Sequence, residues 1–375
     1  MPEVAEVRLI ADNLDQFLTN RYLTQFRIKD PVVLAKWVNR NCPGLSDFNK
    51  KLDSMENGLL VKSVHTRGKF CYIQCDKDIY IGISFGMSGN IRPEPTPEFL
   101  TVYKWKGSSV TKEEYLKHCH ISIEFTSLEP VTNCRVQERI YYHDIRRFGR
   151  FDIFYSRAEL DRKLAKLGHD PLSEDSLDNT TIVAKFRKYN SQNICRVLME
   201  QELFAGVGNF IKSETLYEAK ISPHAIVSNI PDKTLLTLYE AIKKIAKDDY
   251  ESGGCALYTY SGLKGDQSDF KETLKVYGNE GKLDSNGYII KRIPEALSPD
   301  KRSTFWVPEI QIIGIANDNS APTNFVTVRK KICLPPPKIL PIFRPPLKIT
   351  TKVVNAVCPS DTFVDHWVEK SQSLN

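Results

Sequence analysis

The sequence predicts an α+β protein in two parts: an N-terminal helix and a domain of short β-strands, then a mostly helical domain ending in a β-hairpin. Three observations predict it. Apolar side chains at Val7, Ile10, Leu14 and Phe17 are spaced i, i+3, i+7, i+10, one stripe of an amphipathic helix within residues 2–18. From about residue 21 to 155 the pattern becomes short strand-like runs separated by turn clusters, as in a β-sandwich or barrel. Residues 183–250 return to helical periodicity. A chain of 375 residues is long enough for two cores and a tail.

In order, strands are expected at Leu59–Thr66, Phe70–Asp76, Tyr80–Phe85, His120–Phe125, Arg139–Asp144 and Phe151–Tyr155. Arg67-Gly68 and Met87-Ser88-Gly89-Asn90 are read as turns between them. Residues 1–155 form this first domain, and the charged stretch 156–180, with His169-Asp170-Pro171, reads as a linker. Helices follow at Ile182–Tyr189, Ile194–Gln201, Asn209–Ala219 and Lys233–Lys247, within a domain at 181–260. Strands recur between Asp269 and Gly314, as a hairpin, within a region at 261–328. Residues 329–375 are rich in proline, lysine and arginine without periodicity and are expected to be extended or disordered.

Composition narrows the class. Hydrophobic content of 41% and charged content of 26% are those of a globular protein. Neither a transmembrane span nor a signal peptide is expected. Net charge +6 permits nucleic-acid binding without demanding it. The 9 cysteines are odd in number and contain no C-x-x-C pair, so neither a disulfide framework nor a zinc ribbon is suggested. Cys71 and Cys75 sit in a strand-like run and read as buried free thiols, as in a reducing compartment.

The chemistry concentrates at Met1-Pro2-Glu3-Val4-Ala5-Glu6-Val7. Pro2 is small enough to follow a cleavable initiator methionine, whose removal leaves a free secondary amine. Such a group titrates near about 7.7–8.0, so much of it is a nucleophile at neutral pH. Its adduct with an aldehyde carbon is a charged iminium, an electron sink. Glu3 and Glu6 lie one helical turn apart, on one face beside the amine. Alone, these residues also fit an ordinary helix start with proline in its first position. A second feature is Gln201-Glu202-Leu203-Phe204-Ala205-Gly206-Val207-Gly208-Asn209-Phe210-Ile211-Lys212-Ser213-Glu214, read as helix, tight double turn and helix. Backbone amides at such a helix start attract phosphate.

This stretch resembles the helix–two-turn–helix of the formamidopyrimidine-DNA glycosylase and endonuclease VIII family of base-excision repair enzymes. Further motifs match in order. The first residues resemble the family's catalytic N-terminus, and Arg67-Gly68-Lys69 its strand turn with a functional lysine. His143-Asp144-Ile145-Arg146-Arg147-Phe148-Gly149 resembles its DNA-inserting loop, and Lys301-Arg302-Ser303-Thr304-Phe305-Trp306 its finger hairpin. Each motif alone is common, whereas all of them in this order, over residues 1 to about 314, are highly specific.

The resemblance implies roles. Pro2 attacks C1′ of a damaged nucleoside, Glu3 protonates the sugar ring oxygen from a desolvated, raised carboxyl, and Glu6 positions the sugar. Lys69, Arg302 and Asn209, with Lys212 beside it, hold DNA phosphates. Met87, Arg146 and Phe148 fill the hole left by a flipped nucleotide.

Two departures matter. Ala5 stands where the family usually has proline, which leaves the carboxylates in place. The usual finger holds zinc with two C-x-x-C pairs, but here Gly281–Gly287 and Trp306–Gln311 contain no thiolate or imidazole. That resembles the zincless-finger members, with packing expected from Val276, Tyr277, Ile289, Phe305, Trp306 and Ile312. Residues 255–275 correspond to the region that caps an extruded base in some members, and their length allows a cap. Gly208–Lys212 look endonuclease VIII-like, favouring oxidised pyrimidines and ring-opened purines. The expected protein is a monomeric, cofactor-free, metal-independent DNA glycosylase and AP lyase, acting by β,δ-elimination on damaged double-stranded or single-stranded DNA. It would be intracellular wherever DNA is, and nuclear in a eukaryote. The rivals are a non-catalytic damaged-DNA-binding protein of the same fold and a tautomerase-like enzyme using N-terminal proline as a base. The first gives no work to a secondary amine, and the second none to the clamp motifs.

Overall fold

The structure is a computed structural model that describes residues 2–102, 104–105, 108–128, 135–254 and 273–314. All of them lie in one unit, Met1–Asp318. Residues 255–272 of the capping region at 255–275, and the tail at 329–375, lie outside the described residues.

Helix α1 (Val4–Leu18) buries Val7, Leu14 and Phe17 of the expected stripe, while Ile10 is half-buried. Burying Leu14 and Phe17 contributes about 1.5–3 kcal/mol each. Pro2 is not the first residue of the helix: Glu3 is its N-cap, and the backbone turns helical only at Val4. Then follow β1 (Tyr22–Ile28), α2 (Pro31–Asn41), α3 (Leu45–Asp53), β2 (Leu59–Arg67), β3 (Phe70–Cys75), β4 (Tyr80–Ser84) and β5 (Gly89–Pro93). A short helix α4 (Pro97–Val102), the two-residue strands β6 (Lys104–Trp105) and β7 (Ser108–Ser109) and α5 (Lys112–Leu116) lead to the long antiparallel pair β8 (Cys119–Leu128) and β9 (Arg135–Asp144), then β10 (Arg150–Phe154).

Eight strands pair antiparallel in the order β10-β4-β3-β2-β1-β8-β9-β5. The β1–β2 link is only Tyr22↔Leu60 and Leu23↔Leu59. At that corner the ladder folds over. Phe151 of β10 lies 6.1 Å from Phe26 of β1 and 4.9 Å from Tyr142 of β9, closing a sandwich core between strands distant in the order. Cys71 and Cys75 are buried free thiols in β3.

Strand β1 escapes sequence reading because a bulge between Leu23 and Gln25 breaks its alternation. Gly89 and Asn90, expected in a turn, pair with Asp144 and His143 in β5; the β9 ladder overrides their turn preference. Within the expected linker lies α6 (Arg157–Leu164), capped by Ser156, whose hydroxyl accepts the Glu159 amide at 3.3 Å.

The helical half comprises α7 (Asn179–Arg187), α8 (Ile194–Met199), α9 (Asn209–Glu218) and α10 (Asp232–Glu251). Helix α9 is buried from Phe210 to Tyr217, so the other helices pack around it. Helix α1 sits between this half and β2–β3. Val4 belongs to the helical core with Val207, Phe210 and Ile211, while Asp15 accepts the Val64 amide of β2 at 2.6 Å. The chain start is therefore held from both sides.

The finger is β11 (Lys291–Ile293) paired with β12 (Thr304–Trp306). Its core is Val276, Ile290 and Val307 against Tyr217, with Phe305 and Ile310 at the edge. Tyr277 stacks edge-on to Phe305 at 5.1 Å, and Trp306 to His224 at 5.4 Å. Ile289 and Ile312, expected to pack, are 53% and 62% exposed. Ile290 takes the inward place, since a shift of one residue reverses the face. One polar side chain closes each loop where thiolates were absent. Asp284 accepts from the Tyr217 hydroxyl at 2.9 Å and the Asn286 and Tyr288 amides at 3.0 and 2.8 Å. Gln311 accepts the Val307 amide at 2.8 Å and donates to the Ile221 carbonyl at 2.9 Å.

Candidate active site

Pro2 is buried and lines a cavity of about 310 Å³ with Lys69, Ser84, Lys163, Gln201 and Arg302. The segment before α1, the β2–β3 turn, the end of β4, α6, the stretch between α8 and α9 and the finger all contribute. The Val4 amide donates to the Gly206 carbonyl at 3.2 Å, which pins the first residues on the double turn.

Glu3 is 3% exposed. Its carboxylate accepts the Phe210 amide at 3.0 Å and the Ile211 amide at 3.3 Å, so it occupies the N-terminus of α9. This corrects the expectation that those amides await a phosphate: the acceptor at the helix start is the protein's own carboxyl group. Gly208 is there for that reason, because a Cβ would stand 2.2 Å from the Glu3 carboxyl carbon. Burial raises the Glu3 carboxyl, and Lys69 and the two amides pull it part of the way back. Glu6 accepts the Glu3 amide at 2.8 Å and so caps the start of α1. Burial first, then the neighbouring Glu3 charge, pushes it up to about 7. Two neighbouring carboxyls with raised affinity for protons are suited to donating them beside Pro2.

The Lys69 ammonium donates to the Val207 carbonyl at 2.7 Å. Burial lowers it to about 8, against the pull of Glu3, with Arg302 adding repulsion. Arg302 is exposed at the finger tip and reaches the same cavity. Asn209 donates its side-chain amide to the Ser303 carbonyl at 2.9 Å, joining α9 to the finger. Met87 and Phe148 are 37% and 53% exposed, and an Arg146 guanidinium nitrogen lies 3.2 Å from the Met87 sulfur. These three form one projection.

Lys212 is not a surface contact. It is fully buried, and its ammonium pairs with Asp300 at 2.5 Å. Asp300 also accepts the Ser298 hydroxyl at 2.6 Å and the Arg302 amide at 3.3 Å, so Lys212 anchors the turn that carries Arg302. A helical wheel could not reveal this, because α9 is buried on every side.

Sequence reading also missed Gln201 and Asp170. Gln201 accepts the Gly206 amide at 3.0 Å and donates to the Val207 carbonyl at 3.0 Å, supporting the oxygen that holds Lys69. Asp170, in the expected linker, accepts the Gly68 amide at 2.7 Å and fixes the Lys69 turn. Gln201 opens the double-turn stretch and Asp170 lies in the expected linker, but nothing in their local spacing marks either side chain as a tie to the Lys69 turn. Among the described residues no group of three or more His, Cys, Asp or Glu side chains is placed to hold a metal ion.

Residues 1–151 match the model of the formamidopyrimidine-DNA glycosylase N-terminal domain, and residues 167–261 that of the formamidopyrimidine-DNA glycosylase H2TH domain. The formamidopyrimidine-DNA glycosylase of Listeria monocytogenes is 27% identical over 314 residues, covering 83% of this chain and all (100%) of the relative. That of Desulfitobacterium hafniense is 26% identical over 316 residues, with 83% and 100% covered. Among solved structures, MutM in complex with carbocyclic 8-oxo-G containing DNA superposes with a TM-score of 0.65 at 22% identity, covering 83% of this chain and 100% of that one. A complex of Lactococcus lactis Fpg with abasic-site DNA gives 0.65 at 23% identity, covering 83% and 99%. At these identities the superpositions establish a shared fold.

Proposed function

Since this chain belongs to the formamidopyrimidine-DNA glycosylase and endonuclease VIII family, we propose that it is a DNA glycosylase of base-excision repair that is also an AP lyase. With Met1 removed, the Pro2 nitrogen attacks C1′ of the damaged nucleoside while Glu3 protonates the ring oxygen. The base leaves, the ring opens, and a Pro2 iminium remains. The iminium makes the C2′ proton acidic, and β- then δ-elimination cleaves the strand on both sides. Lys69 and Arg302 hold the phosphates beside the lesion, and Met87, Arg146 and Phe148 fill the vacated stack. Oxidised pyrimidines and ring-opened purines are the favoured substrates. The observation that carries this reading is one cavity lined by Pro2, Lys69 and Arg302, with the next residue, Glu3, and Glu6 one turn on both buried and their carboxyls raised by that burial.

The test is borohydride trapping on duplex DNA bearing an abasic site or a hydroxylated uracil, followed by peptide mapping. A covalent adduct at Pro2 is the expected result, with Pro2→Gly trapping more slowly and a Met1-bearing chain not at all. DNA binding without an adduct would indicate a non-catalytic clamp, and no binding would remove the assignment.

Lys69 adds a pH signature. Its ammonium is lost as pH rises through about 8, so affinity for abasic-site DNA should fall across that value. In Lys69→Arg, whose guanidinium stays charged, fluorescence-anisotropy titrations should show the step flattened. An identical step in both proteins would assign the titration elsewhere.

A further inference from the structure

The carboxylate of Asp144 lies between the two loops that carry the exposed projection. It is fully buried at the end of β9 and gathers donors from both. The Ser88 hydroxyl donates to Oδ1 at 2.5 Å, and the Arg146 amide to the same oxygen at 3.1 Å. The Gly149 amide donates to Oδ2 at 2.8 Å, and the Tyr142 hydroxyl at 3.3 Å. The Arg146 amide also lies 3.0 Å from the Ser88 oxygen. One side chain thus closes the loop 145–149 and ties it to the residue that follows Met87.

That loop needs holding. Arg147 has φ of 57°, a left-handed conformation that costs energy in any residue with a side chain. The loops also touch directly, since a Cβ on Gly86 would stand 2.7 Å from the Phe148 carbonyl carbon. Met87, Arg146 and Phe148 therefore have exposed tips and locked roots. Charge-assisted hydrogen bonds in a water-free setting are stiff, and breaking one leaves a buried donor without a partner.

We propose that Asp144 is a positioning residue that makes Met87, Arg146 and Phe148 enter the duplex as a single wedge. The inference rests on the proposed function, in which both loops fill the hole left by one flipped nucleotide. Filling that hole from two sides at once requires a fixed distance between the loops, and the Ser88–Asp144–Arg146 contact sets it. Asp144 itself touches no DNA.

Single strands offer the test, because they contain no hole to fill. Full-length Asp144→Asn keeps one acceptor but turns an amide donor toward Ser88 or the Gly149 amide. It should cleave an abasic site in duplex DNA about tenfold more slowly or worse. Cleavage of the same site in a single strand should be unchanged. Ser88→Ala, a milder change that leaves the loop closed by Asp144, should show a smaller loss in the same direction. In a double-mutant cycle on the duplex, Phe148→Ala should cost much less in the Asp144→Asn background than in the wild type, because the wedge is already misplaced. Equal losses on both substrates, or additive effects in the cycle, would overturn the inference and reduce Asp144 to a fold residue. Failure of the functional reading looks different: the wild type itself would cleave neither substrate and form no Pro2 adduct.

Discussion

Glu3→Gln should lower base excision by about 10²–10⁴-fold, the usual contribution of a positioned general acid, while strand cleavage at a pre-formed abasic site stays within about tenfold of wild type. In the proposed mechanism excision needs a proton on the sugar ring oxygen as the base departs, and burial raises the Glu3 carboxyl in the direction that suits a donor. An abasic site already has an open aldehyde form, so Pro2 can attack it without that acid. Glutamine preserves shape and one acceptor for the α9 start. It sacrifices one of the bonds to Phe210 and Ile211, since one of its termini is a donor. That structural cost is about 1–3 kcal/mol and would appear in a melting curve. Single-turnover gel assays on hydroxylated-uracil and abasic-site duplexes separate the two activities. Equal losses would show that Glu3 serves both steps, or serves mainly to seat α1 on α9.

The Lys212–Asp300 pair carries the second large effect. Asp300→Ala leaves an ammonium buried without a counter-charge, and should destabilise the protein by about 3–5 kcal/mol. At roughly 2–4 °C per kcal/mol for a chain of this size, the melting temperature should drop by about 6–20 °C. Replacing both partners with apolar residues, Lys212→Met with Asp300→Leu, should recover most of that stability. It should not recover Arg302, whose amide loses its carboxylate partner. The double variant is therefore expected to melt near the wild type yet bind DNA with a slope against log salt smaller by about 1. Calorimetry and anisotropy titrations over a salt series measure the two quantities. A shift below about 1 kcal/mol for Asp300→Ala would mean that the pair is open to water.

Both cases show how far the chain can be read without coordinates. Pro2, Glu3, Glu6, Lys69 and Arg302 each stand in a local motif, and local motifs are legible because turn chemistry and helix starts depend on near neighbours. The stripe of α1 and the helices around α9 are legible for the same reason: periodicity is a local property. Strand β1, and the start of β5 at Gly89 and Asn90, are hidden because pairing with distant strands decides them.

By itself, the sequence determined the family, the candidate nucleophile, the carboxylates beside it and the lack of zinc ligands in the finger. Those properties need only residue identity and short-range spacing. Tertiary structure alone decided that Glu3 occupies the α9 helix start, that Lys212 is an internal anchor, and that Asp144 joins two loops. The cause is sequence separation. The Phe210 amide lies 207 residues from Glu3, Asp300 lies 88 from Lys212, and Ser88 lies 56 from Asp144. Whether a charged group faces water or a partner is settled by what the fold brings beside it, and only packing specifies that.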